Sequence, residues 1–598
     1  LAGVSPVITG FNREVRAQAV KPRLVTSHYA VNFGRRVVIP EQSRLLPHRM
    51  LITFTNEDAA PLEWRKGGTD SDIIIDSSFS MDPVSGSLNP GQTVQVQVFF
   101  KPKEKKEYVE FLSIFLDGAT EKSYLDIQLK GVGADPTLTF DVSELVLPVA
   151  PLNIPVIQTF HIINEGYERL DLKYRLSIDT SKVPLKLAFP EGSHLTVSKR
   201  QVPVELTFMS TKPVSFNSKI DFFDHDGNRY GIAVSCTADN CLLTNYPYLL
   251  ANRDIVKLDN QKGKPISLAF KEKGEVREDD ALSSRFSVYS GNTATTGFSI
   301  GTVGDVTLRK MYRKKNIDRM LNWLNVSVLA NPIDDLMKTV LFSNGGVVYD
   351  IVESLSGKKP PPKPKKLPAN KGESCKILYA HHEELLNFLN THGALVNSVR
   401  PELLLPYDEF QKLTTDPGFA NSYHVPKRMS EKKYRYKSAE AWGTVLYQII
   451  KVFVLSRISL KQAKAMSEEM FAGPEILFTG SNVYGVAENV ILKWMTFHLN
   501  KHFPSGDEEN RVTNFSTDLR NGKVFASLIM SHIPHVKYKL EGFITNVSET
   551  SDYEHNASLI IAALNEARLD YVLSVGDLLS GNPREMLLLG TFLYQTLP

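Results

Sequence analysis

Gly297-Phe298-Ser299-Ile300-Gly301 has the Gly-x-Ser-x-Gly spacing that can present a serine hydroxyl as an acyl-transfer nucleophile. That arrangement needs an apolar strand before the serine and a helix straight after it. Here the polar Asn292-Thr293-Ala294-Thr295-Thr296 precedes it and Gly301-Thr302-Val303-Gly304 follows, so the spacing reads as coincidence. The same glycines lack the lysine and helix of a phosphate loop. His381-His382-Glu383-Glu384 offers metal-ligand residue types, but neighbours on a helix point about 100° apart and do not converge. The run reads as a solvated helix face. Asp224-His225-Asp226-Gly227-Asn228 imitates a calcium loop, yet its twelfth position is Ser235 where a bidentate glutamate is required. A hairpin turn is the better reading. No catalytic residue, metal site or cofactor is expected.

Two basic tracts remain as candidate binding features. Residues 356–372 hold six lysines and no acid, and residues 426–437 hold six basic residues against Glu431. Lys358, Lys359, Lys363, Lys365 and Lys366, with Lys427, Arg428, Lys432 and Lys433, are the candidate contacts to an acidic polymer. The bland alternative is a solvated linker. Nucleic acid is the weaker polyanion, because the first tract has no aromatic residue to stack on bases. By contrast, residues 484–598 carry nine Lys/Arg against thirteen Asp/Glu, a net of −4.

These residues must be positioned by several domains, since 598 residues exceed what one core organises. No apolar run approaches the roughly 20 residues of a membrane helix, so no membrane partner is expected. The three cysteines include no Cys-x-x-Cys, which fits a reduced, cytosolic setting. The chain begins with Leu1 and is expected to be a segment of something longer.

Residues 21–135 alternate apolar and polar, as in Met50 to Asn56, Val94 to Phe99 and Leu125 to Leu129, with turn formers at Asn89-Pro90-Gly91 and Asp117-Gly118. A similar pattern repeats over 136–237, in Val204 to Phe208, Lys219 to Phe223 and Tyr230 to Val234. Two β-sandwiches joined at Gly131 to Pro136 are predicted, with 1–20 as the end of a preceding module or linker. Residues 238–355 read as irregular and then helical, and 356–372 as an extended Lys/Pro linker. A helical region follows over 373–483, with helices at Ile377 to Val399 and Ser438 to Phe471, and then a final unit at 484–598. The fold class is therefore multidomain: tandem all-β sandwiches, a mainly helical middle and an all-α end.

Phe54-Thr55-Asn56, Leu62-Glu63-Trp64, Phe79 to Gln92, Val96 to Pro102 and Leu129-Lys130-Gly131-Val132-Gly133 resemble the ASH domain, an immunoglobulin-like relative of the major-sperm-protein fold. The second copy lacks the Pro-x-x-Gly phrase and the Gly-x-Gly end, and resembles a divergent member. Glu488 to Met495 with Trp494, Val512 to Phe525 and Pro583 to Leu589 resemble a calponin-homology domain. In such a domain Trp494, Phe515, Leu519 and Leu528 would form the core, with Asp518 placed to cap a helix and Gly522 at a tight helix entry.

Sandwiches of this kind before a calponin-homology domain, together with Trp442 to Gln448, resemble a family of cilia- and flagella-associated proteins. The resemblance implies a non-catalytic scaffold of the axoneme's central apparatus, in cytoplasm, cytoskeleton and cilium or flagellum. Its implied partners are tubulin, microtubules and other central-apparatus scaffold proteins, with no small-molecule substrate. The alternatives are a spindle-pole or actin-linked scaffold, and an enzyme acting through Ser299.

Overall fold

The structure is a computed structural model that describes residues 23–41, 43, 45–67, 77–119, 121–176, 185–252, 256–259, 266–270, 320–358, 360, 371–415, 429–505 and 510–597. The Ser299 motif, segment 1–20 and the side chains of Lys359, Lys363, Lys365, Lys366, Lys427 and Arg428 lie outside these residues.

Period-two runs become strands because alternate side chains point to opposite faces of a sheet. The first sandwich contains β1 (Leu24–Thr26), β2 (Ala30–Val37), β3 (His48–Asn56), β4 (Leu62–Lys66), β5 (Phe79–Asp82), β6 (Ser85–Leu88), β7 (Thr93–Phe100), β8 (Glu107–Leu116) and β9 (Leu125–Ala134). They form two sheets, ordered β1-β3-β7-β5 and β2-β9-β8-β4-β6. Between the sheets Phe33, Phe79 and Phe100 meet, with Phe79 stacked on Phe100 at 4.6 Å. Gly131 belongs to this core, because a Cβ there would stand 2.5 Å from the Phe100 ring. Gly131 to Ala134 therefore lie inside β9, and the joint between the sandwiches shrinks to Asp135-Pro136.

The second sandwich contains β10 (Thr137–Phe140), β11 (Glu144–Val146), β12 (Val156–Glu165), β13 (Arg169–Asp171), β14 (Lys173–Leu176), β15 (Leu185–Ala188), β16 (His194–Thr196), β17 (Gln201–Phe208), β18 (Val214–Phe223) and β19 (Arg229–Ala238). Its main sheets are β10-β12-β17-β15 and β11-β19-β18-β14. It shares one device with the first that its divergent turns conceal. Asn56 at the end of β3 is buried and donates to the Ala60 and Leu88 carbonyls at 2.9 and 2.8 Å. Asn164, near the end of β12, is equally buried and donates to the Tyr167 carbonyl at 2.7 Å. Each asparagine satisfies backbone groups of an irregular crossing that would otherwise be buried without partners. The Asp224 carboxylate accepts from the Asp226 and Asn228 amides at 3.0 and 2.8 Å, closing the β18–β19 hairpin.

Beyond β19 the chain turns helical. The unassigned stretch after residue 238 begins with α1 (Leu242–Ala251), followed by the antiparallel pair β20 (Val256–Asp259) and β21 (Ser267–Phe270). Then come α2 (Leu321–Ser327), α3 (Leu336–Phe342), α4 (Gly346–Ser356), α5 (Lys371–Thr391), α6 (Tyr407–Thr415), α7 (Glu431–Phe453), α8 (Leu460–Met466) and α9 (Ile476–Thr479). The helix expected over Ser438 to Phe471 is broken: α7 stops at Phe453, a short 3₁₀ turn spans Leu455–Arg457, and Ser459 caps α8. Apolar spacing continued through the break because both pieces bury against the same core, and the Ser459 cap marks the restart. The terminal unit contains α10 (Val486–His502), α11 (Lys523–His532), α12 (Thr550–Glu566), α13 (Val575–Ser580) and α14 (Pro583–Thr596). The first sandwich keeps a hydrophobic cluster of its own, whereas buried side chains from Leu138 to Leu593 form one continuous core.

Candidate interaction surfaces

Lys358, exposed just beyond α4, places its ammonium 3.1 Å from His392 Nε2. The second tract is not a linker throughout. From Glu431 it is the first turns of α7, where Ser430 Oγ accepts from the Lys433 amide and Glu431 pairs with Arg435. Lys437 faces Glu144 at 3.9 Å, while Lys432 and Lys433 are exposed. Cations at a helix N-terminus oppose the helix dipole, a cost that a bound anion would relieve. Of the candidate cations, the structure thus places Lys432 and Lys433 together and Lys358 elsewhere, after α4.

The His381-His382 pair corrects a sequence expectation, for both residues are buried. His381 stacks on Tyr349 at 4.3 Å, and His382 meets the Trp442 ring edge-on at 5.5 Å. Adjacent side chains on α5 do diverge, but α4 and α7 cover both directions. Neither ring nitrogen of His382 has a hydrogen-bond partner among the described residues, and burial pushes its pKa down to about 3. Among the described residues, no three His, Cys, Asp or Glu side chains are grouped to hold a metal ion.

In the terminal unit Trp494, Phe515, Leu519 and Leu528 are all buried. Trp494 is packed edge-on to Tyr594 at 5.3 Å and beside His498 and His532. Asp518 caps no helix. Its carboxylate accepts from the Thr513 amide and hydroxyl at 2.7 and 2.8 Å, tying down the loop before the 3₁₀ turn Thr517–Leu519. Gly522 precedes α11 at φ +78°, and a Cβ there would stand 2.6 Å from Ile560 Cδ1. Gly522→Ala should cost about 1–2 kcal/mol through its left-handed backbone. Chemical denaturation followed by tryptophan fluorescence checks this, and an unshifted midpoint would refute it.

Helix α1 joins this unit to the second sandwich and α7. Glu488, at the start of α10, is buried and accepts from the Leu242 amide at 3.0 Å. Burial pushes the Glu488 carboxyl above its ordinary range, opposed by that hydrogen bond and reinforced by Asp239. Lys451 of α7 reaches the buried Asp239 at 2.7 Å. Burial pulls the Lys451 pKa down, and Asp239, Cys241 and Glu488 together more than reverse this. At the start of α14, Arg584 donates to the Leu243 carbonyl at 2.7 Å, with its guanidinium 4.1 Å from the centre of the Tyr447 ring. Gln448 donates to Thr244 at 2.8 Å, and Asn245 donates to the Val483 carbonyl at 2.8 Å. Sequence reasoning missed α1 because Pro247 lies inside it and its apolar residues surround it rather than forming a stripe.

Residues 485–597 match the calponin homology (CH) domain, and residues 302–458 match the cilia- and flagella-associated protein 47 domain. The chain is 25% identical to human (Homo sapiens) cilia- and flagella-associated protein 47 over 88% of its own length and 20% of that protein. The Mus musculus counterpart is 24% identical over 87% and 20%. Fimbrin-4 of Arabidopsis thaliana is 29% identical over 23% of this chain and 19% of that one. The chain spans about a fifth of the length of these relatives. Its terminal unit is a calponin-homology domain, and most of the chain is similar to cilia- and flagella-associated protein 47.

Proposed function

We propose that the chain is a non-catalytic scaffold segment of the cilium or flagellum cytoskeleton, built into the central apparatus of the axoneme. The observation that carries this is the similarity to human cilia- and flagella-associated protein 47 over 88% of the chain, sandwiches and helical middle included. A body that buries one core from Leu138 to Leu593 suits a part that bears load and holds docking faces at fixed angles. In this reading the protein resides in the cytoplasm, on the axonemal cytoskeleton, and its partners are tubulin and neighbouring scaffold proteins. Tagged full-length protein imaged in ciliated cells tests it. Signal along the axoneme's central pair is expected, and signal confined to spindle poles or actin bundles would overturn it. The fimbrin similarity favours a second reading, an actin-linked scaffold, which co-sedimentation with actin filaments would detect.

The direct grip on a microtubule is proposed to come from the basic tracts rather than the terminal domain, whose net charge is −4. Changing Lys358, Lys359, Lys363, Lys365 and Lys366 to Gln should weaken microtubule co-sedimentation. Exposed charges are screened beyond roughly 10 Å at 0.1 M salt, so wild-type binding should also fall steeply as salt rises. Equal binding by both proteins at every salt concentration would show a passive tract.

A further inference from the structure

The register of the sheet β11-β19-β18-β14 sorts charge onto its outer face. Leu176, Ile220 and Ile232 stand level, and so do Tyr174 and Phe222; the buried Ile220, Phe222 and Ile232 mark this as the inner face. The alternate residues point outward in three rows. Lys173, Phe223 and Arg229 form one, Arg175, Asp221 and Gly231 the next, and Lys219, Ala233 and Glu144 the third. Asp221 is 0% exposed although it faces outward, because cations cover it. Arg229 Nε lies 2.7 Å and Arg175 Nη2 3.6 Å from its carboxylate, with side chains 49% and 64% exposed. Lys219 lies across Gly231: a Cβ at residue 231 would stand 2.1 Å from Lys219 Cε, 2.9 Å from its Nζ and 3.0 Å from Asp221 Oδ1. One buried carboxylate thus holds three cationic heads and balances one of them. Lys173, exposed on the edge strand β14, adds a fourth cation. Glu144 in the third row is already met by Arg400 and Lys437, at 2.5 and 3.9 Å. Lys437 sits one turn beyond Lys433 on α7, so the face continues toward the exposed Lys432 and Lys433. The neighbouring acids lie off these rows, Asp171 in the β13-β16 pair and Asp226 at the hairpin tip. Residues 177–184 after β14 are neutral in sum, with Asp179 and Lys182.

We propose that this face docks an extended acidic segment of a partner protein, its alternate carboxylates taken by Lys173 and Arg175 on β14, with Arg229 and Lys219 behind them. Charge complementarity selects an anion, since four cations here answer to one carboxylate. An extended segment places alternate side chains on one side about 6.6–6.8 Å apart, the same repeat that separates Lys173 from Arg175. Because Asp221 already fixes three of the cationic heads, little side-chain freedom is lost when an acid docks. Nucleic acid is the poorer match: Phe223, the aromatic ring of these rows, already lies under the Arg175 guanidinium at 5.4 Å and offers no open side to a base. The choice of protein as the polyanion rests on the cytoskeletal reading above, whereas the cationic face does not.

The test is fluorescence anisotropy of the whole 598-residue chain with labelled deca-glutamate at low salt. Saturable binding is expected, weakened about tenfold by Lys173→Glu combined with Arg175→Glu. That variant leaves Arg229 and Lys219 beside Asp221, so its melting temperature should stay near that of the unaltered chain. Lys173→Glu alone, at the exposed edge, should weaken binding about threefold. Reversing the same charge at the exposed Lys122 and Lys461 should leave affinity within about twofold, which separates a site from bulk charge. Equal loss in the two double variants, or no loss in the Lys173 variants, would overturn the proposal. Binding that responds only to glutamine at Lys358, Lys359, Lys363, Lys365 and Lys366 would overturn it too, while leaving the tract reading intact. A ten-residue oligothymidylate that binds more tightly than deca-glutamate and displaces it would overturn the acidic-polypeptide occupant, and would count against the cytoskeletal reading as well.

Discussion

Lys451→Met is expected to destabilise the body formed by the second sandwich, the helices and the terminal domain by about 3–5 kcal/mol. Its ammonium lies 2.7 Å from an Asp239 carboxylate that is 1% exposed. Removing one partner of a buried pair leaves the other charge without compensation, which costs more than the pair itself contributed. The charge left behind also has a neighbour, since Asp239 already acts to raise the pKa of the buried Glu488 carboxyl. Without Lys451 the buried Asp239 carboxylate keeps its charge near the Glu488 carboxyl with its ammonium partner removed. Asp239→Asn in the same chain should restore most of the loss, as it removes the orphaned charge while keeping the side chain's shape. The measurement is chemical denaturation followed by tryptophan fluorescence, with Trp442 and Trp494 both inside this body. An unchanged midpoint for Lys451→Met, or no recovery in the double variant, would show that the pair does not hold the seam together.

What the sequence disclosed and what it hid follow one physical divide. Local periodicity is written residue by residue, so Met50 to Asn56 and Val94 to Phe99 read directly as strands, and the Trp494 and Gly522 phrases read directly as a domain. Packing between distant segments leaves no such period. Asp239 and Lys451 are 212 residues apart, and nothing near either residue marks it as half of an ion pair. The same holds for Glu488, a charged residue on an apolar helix whose partner is the amide of Leu242. His381-His382 misled for a related reason: helix geometry fixes the angle between two side chains but not what covers them.

Acid should destabilise the same body before its ordinary carboxylates titrate. Burial holds His382 down to about 3, and it holds His498 down to about 4 with help from His532, Lys501 and His502. In the unfolded chain both return to about 6.5. Between these limits the unfolded state binds more protons, so stability falls as pH drops below 6.5 and the loss is complete near the folded-state values. From pH 7 to pH 5 each histidine should remove about 2 kcal/mol, together about 4 kcal/mol. Glu488 acts in the opposite sense, since its raised folded-state pKa makes protonation favour the fold, which blunts the total. Variants separate the contributions. His382→Leu keeps a side chain of similar size against Trp442, removes two buried nitrogens that lack partners among the described residues, and should abolish about half of the acid-induced loss. His498→Gln should abolish much of the rest, although it also disturbs a 2.9 Å hydrogen bond to Ser531 Oγ. Denaturation midpoints at pH 7 and pH 5 decide it: if the His382→Leu chain loses as much stability as the unaltered chain, His382 is not the acid-sensitive group. A proton taken up at His382 would have to sit between Trp442 and Tyr349-stacked His381, where no described side chain accepts it, so the helices around α5 must part before that nitrogen is charged.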